Sequence, residues 1–309
     1  MQLVVQDKMR YLLTGIFVLM LTCVFAQAKP DILYSAKGYQ FQYDLKNADS
    51  RIELPGSLEE ISGLSYIDKN TLLGVQDEKG NLYFINSKTG KVKRKLKFQK
   101  NGDYEGVEKV KNKYWVIDSK GDIYSSDDEG KTKIYKTILN SKNNCEGLGY
   151  DPVKDRLLII CKRYPFTKDQ KGIINKKSVY SFDLKKKKLD PKPILSIELD
   201  SIKSHLKYNA MAKLGLKLIS FLNSTKNDLF FRPSGIAVHP KTGHYYILAG
   251  GGKLLLVTNS NGKFLALIKL DADDFPQAEG ICFSPEGTLF ISNEGISEDG
   301  YILIFKSKI

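Results

Sequence analysis

Acidic side chains recur beside the glycine of a repeated motif in this sequence. The motif is an acidic or small polar residue, then glycine, then an aliphatic residue, and it occurs in EISGLSY, DYEGVEKV, NCEGLGYDP, RPSGIAVHP and QAEGICFSP. At its acidic position we expect Glu60, Glu105, Glu146 and Glu279, with Ser234 in the fourth copy. Further polar residues follow the next apolar runs: Asn293 and Glu294, Asp77 and Glu78, and Asp118.

Carboxylates gathered in one place repel one another, and a cation relieves that repulsion. Hard oxygen donors suit Ca²⁺, which takes about 6 to 8 of them. The sequence therefore predicts a calcium site with ligands drawn from Glu60, Glu105, Glu146, Glu279, Asn293 and Glu294. We expect Asp77, Glu78, Asp118 and Ser234 at the rim of this site or just behind it. Zinc is not expected, because the three histidines show no ligand spacing together with cysteines.

The spacing of the motif predicts the elements that position these residues. The motif glycines, which are Gly63, Gly106, Gly147, Gly235 and Gly280, are 43, 41, 88 and 45 residues apart. Two further apolar runs separated by turn residues follow each motif. A period of about 40 to 45 residues with short antiparallel strands is typical of a β-propeller. We predict an all-β fold, a single propeller of five blades, whose inner strands place the acidic residues at the upper mouth of a channel.

The interval of 88 residues between the third and fourth glycines leaves a six-bladed propeller as the alternative. Within it, the segment SIKSHLKYNAMAKLGLKLISFL, residues 201–222, lacks the alternation of a strand. We therefore predict a short helical insertion between blades three and four. Its apolar side chains are expected to pack on the propeller, and docking of its lysine-rich surface on a membrane or an envelope protein is the alternative.

Both ends of the propeller domain are expected to close the ring. Residues 31–56 and the C-terminal segment YILIFKSKI would supply outer strands, since pairing them covers edges that are otherwise exposed. The motif glycines would let the inner strands pack closely around a narrow axis.

Structural roles compete with metal binding for the polar residues. A glutamate before glycine can bond to backbone amides of the neighbouring blade and hold the ring closed. For Asp77, Glu78 and Asp118 a role in forming turns is favoured, because aspartate beside glycine is common in turns.

The first 28 residues have the features of an export signal. Lys8 and Arg10 precede an apolar run, and Ala26-Gln27-Ala28 provides small residues for cleavage. We predict a signal peptide over 1–28 and a propeller domain over 29–309, located in the periplasm or cell envelope, with an uncleaved membrane anchor as the alternative. The formal net charge of +13 comes from lysines scattered over the chain, which excludes a nucleic-acid footprint and permits peripheral association with a membrane.

Three cysteines remain after signal removal, an odd number that cannot pair completely within the chain. Cys145 and Cys161 are the pair close enough in sequence to suggest a disulfide, but the apolar surroundings of Cys161 and Cys282 favour buried thiols.

The stretches LEEISGLSY, GDYEGVE, NCEGLGYDP, FRPSGIAVHPKTGHYYIL and QAEGICFSPEGTLFISNEG resemble the SdiA-regulated family of bacterial proteins. The resemblance covers the chain from about residue 35 to its end. It implies a five-bladed propeller, distantly similar to NHL-repeat propellers, with calcium at a family site and without an established catalytic activity. Ser234 departs from the acidic pattern and excludes a fully symmetric acidic ring.

Two functions follow as hypotheses. The first is an exported, monomeric, calcium-binding propeller that binds a small ligand or an envelope protein without catalysis. The second is a calcium-dependent hydrolase of lactones, sugar esters or phosphate esters, with Glu146 or Glu279 as its base. For phosphoester chemistry, Lys162 and Arg163 are the cations expected near the mouth.

Overall fold

The computed structural model describes residues 32–163, 176–210, 231–296 and 298–309. This part of the chain is nearly all β, and its strands form five antiparallel sheets arranged as the blades of a propeller. The prediction of a five-bladed β-propeller is thus confirmed. The predicted signal peptide, residues 1–28, lies outside the described residues.

Each blade begins with a motif strand at the axis and continues outwards through successive neighbours. Blade one consists of β3 (Ile61–Asp68), β4 (Thr71–Gln76), β5 (Asn81–Asn86) and β6 (Val92–Lys97). Blade two consists of β7 (Tyr104–Val110), β8 (Lys113–Asp118), β9 (Ile123–Ser126) and β10 (Thr132–Tyr135). Blade three consists of β11 (Cys145–Asp151), β12 (Arg156–Cys161), β13 (Lys176–Asp183) and the short outer strands β14 (Lys188–Leu189) and β15 (Leu195–Glu198).

The last two blades combine strands from both ends of the described chain. Blade four consists of β16 (Gly235–Val238), β17 (Tyr245–Ala249), β18 (Leu254–Thr258) and β19 (Phe264–Lys269), with β1 (Ile32–Ser35) outside β19. Blade five consists of β20 (Ala278–Phe283), β21 (Leu289–Asn293) and β22 (Tyr301–Phe305), with β2 (Ser50–Glu53) outside β22. The predicted closure by both terminal segments is confirmed.

Burial falls from the inner strands to the outer ones. All six residues of β4, TLLGVQ, are buried, whereas the outermost strand of the same blade, β6, has the sequence VKRKLK and is largely exposed. The lysines of such outer strands account for part of the positive charge, and they discourage edge-to-edge association of sheets. In the described residues the apolar side chains form clusters between successive blades, so each blade is held by both of its neighbours.

Helix α1 (Leu199–Ala210) follows β15 directly, which confirms a helical insertion between blades three and four. Leu199 and Ile202 are fully buried in the same cluster as Leu33 of β1. The rest of the predicted insertion, residues 211–222, lies outside the described residues. No helix in the described segments combines the length and the apolar character needed to cross a membrane.

The motif glycines permit the close approach of the inner strands. A Cβ atom on Gly147 would lie 2.8 Å from the Cα atom of Gly235 in the next blade, and one on Gly63 would lie 2.8 Å from Gly106 Cα. Real Cβ atoms do not approach backbone this closely, so glycine is required at both positions. The predicted role of these glycines is confirmed, and the space that the motif strands enclose is only about 10 Å³.

Candidate functional site: the upper channel mouth

A bulge in the inner strands determines which side chains face the upper mouth. The pairing of β3 with β4, β7 with β8 and β11 with β12 shifts register at the residue just before the motif glycine. A bulge leaves one residue out of the ladder and redirects its side chain. Counted back from each glycine, the residues at this position are Ser62, Glu105, Glu146, Ser234 and Glu279. We call these five residues the mouth ring.

Glu60 does not belong to the mouth ring, although we expected it at the same motif position as the other three glutamates. It lies two residues earlier, in register with Asp103 of the second motif, and its side chain is exposed. Ser62 takes the equivalent position in blade one. The ring therefore contains three carboxyl groups and two hydroxyl groups.

The two serines of the ring connect neighbouring blades. Ser62 Oγ donates a hydrogen bond of 2.6 Å to the carbonyl oxygen of Tyr104, and Ser234 Oγ donates one of 2.8 Å to that of Ala278. Each acceptor belongs to the residue before the glutamate of the next blade. This is the ring-closing role that we considered for the glutamates, and here serine performs it.

Glu146 is the most buried carboxylate of the ring, with 4% of its surface exposed. Lys162 Nζ lies 2.8 Å from its Oε2 atom, and Asn144 Nδ2 donates to Oε1. Burial raises the pKa of Glu146 and the Lys162 charge opposes that rise. Burial by itself lowers the pKa of Lys162, but the Glu146 charge outweighs it and the net shift is upwards. The two side chains are therefore electrostatically coupled, and each depends on the other.

Glu105 and Glu279 have no such partner: within the described residues, no hydrogen bond or ion pair reaches either carboxylate. Burial, followed by the charge of Glu146, raises the pKa of Glu105 well above its usual range. Burial, Glu294 and Glu146 raise the pKa of Glu279 to about 8, while Lys162 and Lys253 oppose this rise. The mouth ring thus holds more buried carboxyl groups than neighbouring cations can neutralise.

A second layer of polar residues surrounds the ring. Gln76 Nε2 donates to Glu60 Oε2 at 3.1 Å and to Asp77 Oδ1 at 3.3 Å, which brings these two predicted residues together. Burial and Glu60 raise the pKa of Asp77 to about 6. Gln277 donates to Glu294, whose pKa rises to about 7, chiefly because of burial. Glu78 is exposed and adds only peripheral charge.

Asp118 has the structural role that the turn interpretation predicted. Its Oδ1 atom accepts hydrogen bonds from the backbone N–H groups of Lys120 and Asp122, and its Oδ2 atom accepts one of 3.0 Å from the Tyr124 hydroxyl. These bonds close the turn between β8 and β9. They leave little of this carboxylate for a ligand.

Asn293 is the predicted residue with unsatisfied polar atoms. It is fully buried at the end of β21, opposite Ala278, and its amide oxygen and nitrogen have no hydrogen-bond partner in the described part of the protein. Such atoms are rare in proteins and favour a bound group or water beside them.

The pairing of inner and second strands placed Lys162 beside Glu146, and the sequence offered Lys162 only as one of two cations near the mouth. Asp103, in register with Glu60, was missed as a source of negative charge, although it contributes to the raised pKa of Glu105. Counting back from each motif glycine would have found it.

The three buried cysteines are free thiols, as the composition of their strands predicted. Cys145 and Cys161 face each other on β11 and β12, with their sulfur atoms 3.7 Å apart. Each directly precedes one member of the Glu146–Lys162 pair in the chain.

Comparison with known proteins identifies the relatives of this fold. The sequence model described as SdiA-regulated matches residues 37–296. The chain belongs to the SdiA-regulated family. A search of curated proteins found no match.

Solved structures similar to this SdiA-regulated protein include a gluconolactonase from Xanthomonas campestris, with 12% identity and a TM-score of 0.48 over 80% of this chain and 72% of the other. A PQQ-bound aldose sugar dehydrogenase from Streptomyces coelicolor has 12% identity and a TM-score of 0.45 over 84% and 97% of the two chains. Virginiamycin B lyase from Staphylococcus aureus has 14% identity and a TM-score of 0.42 over 81% and 68%. At these values the likenesses carry no argument about chemistry.

Proposed function

We propose that this SdiA-regulated propeller is a calcium-binding module whose upper mouth presents the ion, and through it a ligand or partner protein, without catalysing a reaction. The observation that supports this most directly is the excess of buried carboxyl groups in the mouth ring. Glu105 and Glu279 lack a partner in the described structure, and only Glu146 is neutralised by a lysine.

The donor chemistry of the ring fits calcium. Glutamate and asparagine oxygens are the hard ligands that Ca²⁺ prefers, and Glu105, Glu279 and Glu146 would hold the ion. The unsatisfied amide of Asn293, near the end of the second strand, supports a polar group at this depth. The ring is not preformed as a cage, since no group of three or more His, Cys, Asp or Glu side chains in the described segments is close enough to hold an ion. Binding would therefore draw the glutamates inwards.

Burial and, after it, the repulsion among these carboxylates raise their pKa values. Calcium would supply positive charge that offsets the repulsion. The same repulsion makes the ion's affinity depend on pH, because protons compete for the ring. A non-catalytic role is supported by the hydrogen bonds of Glu146, one of the two residues considered as a base: both of its oxygens are engaged by Lys162 and Asn144.

Calorimetric titration of the purified protein with Ca²⁺ after chelation tests this proposal. We expect a single site with a dissociation constant below about 1 mM, and Glu105→Gln or Glu279→Gln should weaken it by at least roughly tenfold. Lys162→Met should strengthen binding by roughly three- to tenfold, because it frees the Glu146 carboxylate from its ion pair. Glu129→Gln, which removes an exposed carboxylate on blade two, is the matched control and should change nothing.

Absence of binding at about 5 mM Ca²⁺ would refute the calcium proposal. Binding that Glu129→Gln weakens as much as Glu279→Gln would show diffuse surface attraction instead of a site. The opposite signs expected for Glu279→Gln and Lys162→Met separate a local effect from general loss of structure, since two destabilising variants would both weaken binding.

We also propose that the protein acts at the cell envelope as a monomer. The charge pattern of the first 28 residues supports export. Mass spectrometry of the protein recovered from the periplasmic fraction tests both export and cleavage, and an N-terminus at Lys29 is expected. Retention of the full chain in the membrane fraction would favour an anchor.

A further inference from the structure

The lower end of the propeller contains a cavity of about 460 Å³, a volume within the usual range for small-molecule sites. Residues from all five blades line it, where the inner strands end and turn into the second strands. It is separated from the mouth ring by the tightly packed glycine level, where only about 10 Å³ is free. The lower cavity is thus spatially separate from the upper mouth.

The floor of this lower cavity has one carboxyl group among small residues. Two positions after each motif glycine, the inner strands carry Ser65, Glu108, Gly149, Ala237 and Cys282. Four of these side chains are small and leave space at the axis. Glu108 extends into this level, and the sequence motif, which drew attention only to residues before the glycine, missed it.

Glu108 is held in place but is not neutralised. Ser65 Oγ donates to its Oε2 atom at 2.8 Å, and the backbone N–H group of Lys109 in turn donates to Ser65 Oγ at 3.1 Å. These bonds connect blade two with blade one. Since a carboxylate accepts about four hydrogen bonds, acceptor positions of Glu108 remain free for a ligand. The side chain lines the cavity and is partly exposed to it.

The other charged residues that line the cavity, Lys109 and Lys111, are engaged elsewhere. Lys109 Nζ lies 4.3 Å from the ring centre of Tyr114, and Lys111 Nζ lies 3.2 Å from a carboxylate oxygen of Asp155. Neither forms an ion pair with Glu108. Burial raises the pKa of Glu108 to about 8 despite the hydrogen bond from Ser65, as expected for a carboxyl group without a counter-ion.

The walls of the cavity are apolar and rigid. Tyr66, Tyr150 and Phe283 supply aromatic rings, and Pro152 and Pro285 lie at two of the turns. Rings and prolines lose little conformational freedom when a ligand binds, so they favour a flat apolar molecule.

We propose that the lower cavity is a second binding site, which takes a small aromatic molecule that carries a protonated amine. The ring of the ligand lies against the tyrosines and Phe283, and its ammonium group donates to a free acceptor position of Glu108. The aromatic walls contact the apolar body of the ligand, and Glu108 on the floor accepts one charge-assisted hydrogen bond from it.

Three probes of nearly the same shape test the charge preference: phenethylamine, 2-phenylethanol and phenylacetate. Each is titrated into the purified full chain and followed by amide NMR, once with EDTA and once with excess Ca²⁺. We expect phenethylamine to bind at least roughly tenfold more tightly than 2-phenylethanol and phenylacetate to bind most weakly, with or without Ca²⁺. Binding of phenylacetate as tight as that of the amine, or no binding of any probe up to about 20 mM, would overturn the proposal.

Glu108→Gln keeps the shape of the side chain and should abolish the tenfold preference for the amine. Glu286→Gln is the matched control: it removes an exposed carboxylate next to Pro285 on the same face and should preserve the preference. An amine preference that persists in Glu108→Gln contradicts the proposal. Should Glu108→Gln fail to fold, the wild-type spectra decide: the amine must shift the amide signals of Gly149 and Ala237, and shifts confined to Gly106 and Gly147 exclude the lower cavity.

Discussion

At the scale of single residues, buried carboxyl groups in the mouth ring and in the layer around it make stability depend on pH. The pKa of Glu279 is raised to about 8 and that of Glu294 to about 7, so the folded protein keeps protons that an unfolded carboxyl group would release above about pH 4.5. The folded state therefore binds more protons than the unfolded state between these values. It follows that the free energy of unfolding increases as the pH falls through 8 towards 5.

Urea unfolding in EDTA should show this increase as several kcal/mol between pH 8.5 and pH 5.5, with about 3 kcal/mol from Glu279 and about 2 kcal/mol from Glu294. Glu279→Gln should remove a large part of it, since glutamine does not titrate. Glu286→Gln, an exposed position, should leave the pH profile unchanged. A profile that falls on acidification over this range would mean that the ring carboxylates are ionised and compensated in the folded protein.

The residue types at the mouth were largely predictable from the sequence, but their register was not. Glu105, Glu146 and Glu279 occupy one level of the ring, whereas Glu60 lies two residues outside it and Ser62 takes its place. An acidic residue near the motif glycine was enough to predict the level of the channel at which that residue lies. It was insufficient for the register, because Glu60 precedes β3 and the bulge just before Gly63 places Ser62 at the mouth instead.

At the scale of the strand, packing of the inner strands depends on the absence of a Cβ atom. Gly147→Ala would place a methyl group 2.8 Å from Gly235 Cα and 3.1 Å from its carbonyl carbon, and backbone cannot move aside as a flexible side chain can. We expect a loss of about 2–3 kcal/mol in the free energy of unfolding. Gly56→Ala is the control, because its Cβ atom meets only a side-chain oxygen of Asp299 at 3.4 Å, and its cost should stay within about 1 kcal/mol. Equal costs for the two substitutions would contradict close packing at the axis.

The strand order was predictable because the motif, the turns and the apolar runs recur together, each reinforcing the same period. Contacts across a hairpin were harder to predict. The Glu146–Lys162 ion pair follows from the pairing of Cys145 with Cys161, and that pairing depends on the length of a turn that the sequence alone did not specify. Glu108 was missed for a related reason, since its significance appears only when the five inner strands are aligned around the axis.

At the scale of the whole molecule, β2 closes the ring by covering the outer edge of blade five. Its residues pair with β22 from Ser50 opposite Ile304 to Glu53 opposite Tyr301, and the Arg51 guanidinium lies 3.6 Å from the centre of the Tyr301 ring. Without this strand, β22 would present an open edge that can pair with another molecule. A chain that starts at residue 54 should therefore aggregate or lose cooperative unfolding. Size-exclusion chromatography would detect the first outcome and circular dichroism the second.

A point substitution tests the same closure without shortening the chain. Ile52 is 4% exposed and packs in the cluster between blades five and one, whereas Ser50 on the same strand is exposed. Ile52→Asp places an unpaired charge in that cluster and should cost more than about 3 kcal/mol, while Ser50→Asp should stay within about 0.5 kcal/mol. If both variants unfold at the same urea concentration as the wild type, β2 is dispensable and the ring must be held by contacts between the other blades. If Ile52→Asp alone is destabilised and forms oligomers, the terminal strand is what keeps the propeller closed and its outer edge covered.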